Sequence, residues 1–207
     1  MSETKDKILN AAEHLFAEQG YGGTSLRHII AQAGVNLAAI HYHFGSKENL
    51  LEALIERQAV PINKARLAML DGFEAEAGSE PAPVEKILEA FLVPAAEWAA
   101  DHPESIRLMG RLHAEAMTPA IAERHFKPTG VRFMGALHRS LPHLSEAELS
   151  WRFEFMLGAM AIAMTGKLTP LFGGTPDRRG RLVSLLAFVS GGFLARAARP
   201  EDVETSK

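Results

Sequence analysis

Apolar residues recur along this chain at intervals of three and four, and the first such stretch sets Ile8, Ala12, Leu15 and Phe16 on one face with polar residues between them. The pattern predicts a helix, capped near Thr4 and stopped at Gly20. Gly22-Gly23-Thr24-Ser25 restarts the chain, and a second, short helix presents Leu26, Ile29 and Ile30 inward before Gly34 ends it. Asn36 is placed to cap a third short helix, with Ile40 inward, Val35 and Phe44 nearby, and Leu37, Ala38, His41 and Tyr42 outward. A fourth begins at Ser46-Lys47-Glu48-Asn49 and buries Leu50, Leu51, Leu54 and Ile55. Pro61 is expected to kink or break it, because proline removes a backbone donor. Asp71 to Pro83, rich in Gly, Glu, Ser and Pro, reads as a long loop. Further helices are predicted near 84–101, 103–117, 119–141, 145–169 and 178–198, divided by Pro and Gly signals. No run alternates apolar and polar residues between turns, so the fold class is all-α. A small N-terminal domain (1–60), a larger helical domain (61–200) and a polar tail (201–207) are expected.

Composition narrows the function classes. With 47% hydrophobic and 23% charged residues the chain is of ordinary globular type and can bury a real core. It has no cysteine, which excludes disulfides, thiolate zinc sites and a cysteine nucleophile and suits a reducing cytoplasm. The N-terminus leads straight into an amphipathic pattern, unlike a secretory leader. Its most apolar run, Phe155 to Met164, is about half the ~20 residues of a membrane span, so no membrane partner is expected. A net charge of −3 argues against a general polyanion binder. Through Lys47, the basic residues Lys5, Lys7, Arg27 and Lys47 are balanced by Glu3, Asp6, Glu13 and Glu18. Any nucleic-acid affinity must therefore rest on positioned contacts and on two half-sites acting together.

The span from Thr24 to Phe44 has the anatomy of a helix-turn-helix: two short helices, a glycine turn, and neighbours that brace the second helix. In that arrangement Ser25 and the start of helix two lie near a phosphate, helix three enters the major groove, and Lys47 reaches a flanking phosphate.

Particular residues sharpen this. Phe16, Gly20-Tyr21, Thr24-Ser25-Leu26-Arg27, Ile29, Ala33-Gly34-Val35-Asn36, Tyr42-His43-Phe44, Ser46-Lys47-Glu48 and Leu50-Leu51 stand at spacings that resemble the N-terminal domain of the TetR family of repressors. The resemblance covers about the first 50 residues. It implies a homodimeric, all-α regulator that binds a palindromic double-stranded DNA operator and releases it when a small effector occupies the C-terminal domain. By position it makes Ser25, Arg27, Asn36, Leu37, Ala38, His41, Tyr42 and Lys47 the DNA-facing residues. Two residues depart from the family pattern. Ile30 stands where a small residue is usual, which alters the packing of helix two on helix three. His41 stands where tyrosine is common, which makes a phosphate contact there sensitive to imidazole protonation.

In this family the last two long helices form the dimer interface. Here both are apolar around more than one face, as a helix shared between core and interface must be. The resemblance thus points to Gly158, Ala161, Ile162, Leu185, Phe188, Val189 and Gly192. Methionine and phenylalanine recur in the C-terminal domain and suit an adaptable apolar effector site lined by Phe91, Trp98, Leu108, Leu112, Phe126, Phe133, Leu137, Phe155 and Met156. A looser similarity to the acyl-sensing branch of the family rests on Trp151-Arg152-Phe153-Glu154-Phe155-Met156-Leu157-Gly158-Ala159, Asn36-Leu37-Ala38-Ala39 and Tyr42-His43-Phe44-Gly45-Ser46-Lys47. It implies a fatty acid or acyl-coenzyme A as effector, with Arg107, Arg111, His113 and Arg132 as candidate anchors for its anionic head.

Three other readings compete. No HExxH, nucleophile elbow or phosphate-binding glycine loop is present, so no catalytic residue is assigned, and no cofactor is expected. A metal-responsive regulator would draw on His102, His113, His125, His138 and His143, whose spacings match no compact chelating motif. A helical adaptor that binds no DNA is the third.

Overall fold

A computed structural model describes residues 3–105, 108–109, 119–165 and 177–197. Among these, every regular element is an α-helix: α1 (Glu3–Gly23), α2 (Leu26–Ala33), α3 (Leu37–His43), α4 (Lys47–Ala77), α5 (Val84–Asp101), α6 (Pro119–His125), α7 (Lys127–Ser140), α8 (Glu146–Thr165) and α9 (Arg178–Leu194). The chain packs as two compact units. The first takes Met1–Lys64 with Ala95–Pro128, the second Ala65–Pro94 with Thr129–Lys207.

Most predicted punctuation is where the helices change. Gly20 leaves helical geometry inside α1 with φ 78°, a left-handed conformation that glycine adopts without steric cost. Ser25 and Asn36 cap α2 and α3, accepting from the backbone N–H of His28 and Ala39. Gly34, at φ 64°, closes α2 and sends its N–H to the Ile30 carbonyl.

The helix is not broken at Pro61, and the loop expected at 71–83 is shorter. α4 runs unbroken through Pro61 to Ala77, and the connection shrinks to residues 78–83, entered through Gly78 at φ 67°. An internal proline costs about 3 kcal/mol, and packing on either side outweighs it: Leu50, Leu51, Leu54 and Ile55 are buried in the first unit and Leu70 in the second. α5 likewise passes Pro94. Near that proline the Nε of buried Arg66 donates to the Phe91 carbonyl (2.8 Å), and its guanidinium lies 3.8 Å from the Phe91 ring centroid. Burial lowers the Arg66 pKa to about 10. The predicted helix at 119–141 is divided at Phe126, and Pro128 takes a place in the first turn of the new helix, where its missing N–H leaves no helical hydrogen bond unmade.

The first unit's core gathers Ile8, Leu9, Ala12, Leu15 and Phe16 of α1 with Ile29, Ile40, Phe44, Leu50, Leu54, Ile55 and Leu108. Ile30, one of the two departures from the resembled pattern, is half-buried against it. The second unit's core joins Leu70, Ile87, Leu88, Phe91, Phe133, Leu137, Met156, Leu185, Val189 and Phe193.

Candidate nucleic-acid interface

The turn between α1 and α2 is fastened from within. Thr24 is buried, and its hydroxyl donates to the carbonyls of Gly20 (2.9 Å) and Leu15 (3.2 Å). This holds the start of α2 against α1 and leaves Ser25 and Arg27 exposed. On α3, Ile40 is fully buried and fixes the rotation of the helix. Ala38 and Tyr42, four residues apart, then form one outward column, and Leu37 and His41 the column beside it. All four are exposed, Leu37 by 52% and Tyr42 by 85%. The His41 Nδ1 lies 3.1 Å from the Gly45 carbonyl, which pins the ring to the turn after α3 and leaves Nε2 outward.

Lys47 is set differently from its neighbours. Its ammonium donates to the Tyr21 carbonyl and sits 4.1 Å from the Tyr21 ring centroid. Partial burial lowers its pKa, with Glu48 opposing the shift. The Tyr21 hydroxyl in turn donates to Glu48 (3.1 Å), and desolvation first, then Glu48, pushes its pKa up to about 12. Lys47 therefore braces α4 against the end of α1, and a phosphate would have to draw it from that site. Tyr21, Thr24 and Glu48 are not among the residues expected to face DNA; their polar atoms bond within the scaffold, which no spacing rule reveals.

The expected effector residues fall into separate groups. Phe91, Phe133, Leu137 and Met156 are buried together in the second unit, where Phe91 meets Phe133 and Phe153 edge-on at 5.0 and 5.2 Å between centroids. Leu108 and Phe126 belong to the first unit's core, and Trp98 stacks on His102 at 3.9 Å within that unit. The Trp98 Nε1 is buried there without an acceptor among the described residues. Phe155 is not internal: it is 72% exposed. Leu112, Arg111, His113 and Arg107 lie outside the described residues. Arg132, expected as an anion anchor, is already engaged by Glu74 and Asp71, whose hydrogen bonds raise its pKa.

The expected interface residues also divide. Gly158, Ala161, Ile162, Phe188 and Gly192 are exposed, whereas Leu185 and Val189 are buried in their own unit's core. All four of the α9 residues fall on one side of that helix, Leu185 and Val189 toward the core and Gly192 and Phe188 at its exposed flank. Trp151, Val183 and Leu194, which the expected interface did not include, join the exposed apolar set. Of the candidate metal ligands, His102 contacts the Trp98 carbonyl and His125 contacts Glu52. Among the described residues no three His, Cys, Asp or Glu side chains gather as a metal site, and no helix is long and apolar enough to cross a membrane.

Residues 8–54 match the family model of bacterial regulatory proteins of the tetR family, and residues 89–192 match that of the tetracyclin repressor-like C-terminal domain. The chain belongs to the TetR family. Its relatives include the HTH-type transcriptional repressor BepR of Brucella suis biovar 1, 33% identical over 106 residues, which are 51% of this chain and 47% of BepR. The negative regulator of the biofilm operon icaADBC, IcaR of Staphylococcus aureus (strain Newman), is 40% identical over 52 residues, 25% of this chain and 28% of IcaR. This TetR-family chain thus matches less than half the length of either relative. A TetR-like transcriptional regulator from Rhodococcus sp. RHA1 shares the fold over 93% of this chain and 97% of its own, with a TM-score of 0.65 and 19% identity. The all-α class and the helix-turn-helix read from the sequence hold, and the family is one of transcriptional regulators.

Proposed function

We propose that this TetR-family chain is a homodimeric repressor of a palindromic operator, released by a small apolar effector. The observation that carries the DNA-binding part is the outward face of α3: Leu37, Ala38, His41 and Tyr42 are exposed together while Ile40 is fully buried. A helix turned this way offers its solvent face to the major groove, with Ser25, Arg27, Asn36 and Lys47 around it for positioning contacts. The dimer pairs the exposed apolar faces of α8 and α9, on which Trp151, Phe155 and Ile162 accompany Val183 and Phe188. Apolar rings exposed this widely are costly to leave in water, and a two-fold interface covers both copies at once. The two recognition helices then read half-sites about one turn of DNA apart, roughly 34–36 Å. A gel-shift with the DNA flanking the chain's own gene tests this; unaltered mobility with every candidate operator argues against it.

The effector is an elongated acyl chain with an anionic head, a fatty acid or an acyl-coenzyme A. The aromatic and thioether side chains of Phe91, Phe133, Leu137 and Met156, gathered in the second unit's core, support an apolar ligand. Buried Arg66, whose guanidinium lies 3.8 Å from the Phe91 ring centroid, is a cation beside these residues, whereas Arg132 is engaged by Glu74. A tenfold loss of operator affinity requires the effector to favour the DNA-incompetent state by about 1.4 kcal/mol. Operator binding is titrated with fatty acids and acyl-coenzyme A thioesters of increasing length; indifference to every length excludes the acyl effector and leaves the repressor reading standing.

A further inference from the structure

From Leu37 to His43, α3 carries no Lys, Arg, Asn, Gln, Asp or Glu. Those are the side chains that most often read guanine and adenine by paired hydrogen bonds, and cytosine by a single one, in the major groove. Asn36 stands just before the helix, but its Oδ1 is occupied by the Ala39 N–H at 2.9 Å. The first turn instead offers two apolar groups, Leu37 and Ala38, both exposed and held outward by the burial of Ile40. On the edges of the bases in the major groove, the C5-methyl of thymine is the apolar feature. A leucine pressed against any other edge strips water from a donor or acceptor and returns no hydrogen bond.

We propose that the first turn of α3 selects thymine methyl groups, so that each operator half-site carries T·A pairs beneath Leu37 and Ala38. The inference rests on the DNA-binding reading above and adds the chemistry by which the bases are told apart. Arg27, exposed beside the cap of α2, is a cation that could read guanine instead, and so supplies the opposing outcome.

Replacing thymine by deoxyuridine removes the methyl and leaves every hydrogen-bonding group in place. The full-length protein is first used to select its sites from randomised duplexes, and each thymine of the selected half-site is then changed singly to deoxyuridine. One or two thymines should each lose about fourfold in affinity, the equivalent of one buried carbon group. Replacing the same pairs with G·C should cost roughly fivefold to a hundredfold, the range of a single mismatch. The Leu37→Ala variant should bind the thymine and deoxyuridine duplexes alike at one of those positions. Alanine is a strong helix former at this exposed site, so the variant keeps its fold, which a thermal melt verifies. If deoxyuridine is tolerated at every thymine, or if α3 covers selected guanines, thymine selection is wrong although DNA binding stands. If no sequence is enriched at all, the DNA-binding reading falls, and this inference with it.

Discussion

Replacing Arg152 with methionine removes the guanidinium that ties α8 to the end of α9. Arg152 is 9% exposed and pairs with Glu148 one turn earlier, its Nη2 lying 2.7 Å from the Glu148 carboxylate. Its Nη1 donates to the carbonyls of Gly192, Phe193 and Ala195 at 2.8–2.9 Å, and Nη2 donates to that of Arg196. These are acceptors that the end of a helix leaves without intrahelical donors, and a positive charge there also opposes the negative end of the helix dipole. Methionine keeps the apolar stem but leaves the half-buried Glu148 charge without its guanidinium. Loss of one partner from a buried pair costs about 3–5 kcal/mol, a large share of the roughly 5–15 kcal/mol that holds a typical domain together. Urea unfolding followed by circular dichroism, at one fixed protein concentration so that dimerisation contributes equally, should show a midpoint lower by roughly 1–3 M. Adding Glu148→Leu should recover the part of the loss that comes from the carboxylate, while the carbonyls at the end of α9 still lack the Arg152 donor. A loss below about 1 kcal/mol, the size of a surface pair, or a double variant as weak as the sum of the singles, would refute this account.

Gly34→Ala should cost about 1–2 kcal/mol in thermal or urea melts through left-handed strain alone, since a Cβ there meets nothing within 4 Å; Gly34→Asn should cost distinctly less. Gly158→Glu and Phe188→Glu should each leave the protomer folded, because a Cβ at 158 meets no neighbour and Phe188 is 73% exposed, yet sediment as monomers. A stable dimer of either variant removes that residue from the interface. Lys47→Ala should weaken binding to all duplexes alike and flatten the salt dependence by about one counterion; an unchanged slope would mean that Lys47 only braces Tyr21.

The apolar spacing and the capping residues determined the all-α class, the positions of α1 to α3 and the outward face of α3. These depend on the helical period and on backbone geometry within a few residues of each signal: Gly20, Ser25, Gly34 and Asn36 act on their own turns. Pro61 does not break α4, because its cost is local while its compensation is not. Leu50 to Ile55 and Leu70 hold α4 together from positions the proline itself does not reveal. Only the tertiary structure decided that Leu185 and Val189 face inward while Phe155 faces out, since a helix apolar on several sides has no periodicity that names its core face. Only it turned Lys47 onto Tyr21, committed Arg132 to Glu74, and brought Arg66 to Phe91 and Arg152 to the carbonyls at the end of α9. The partner of a long cationic side chain is set by which carbonyls and carboxylates folding brings within reach, and residues tens of positions apart leave no trace of that in their spacing.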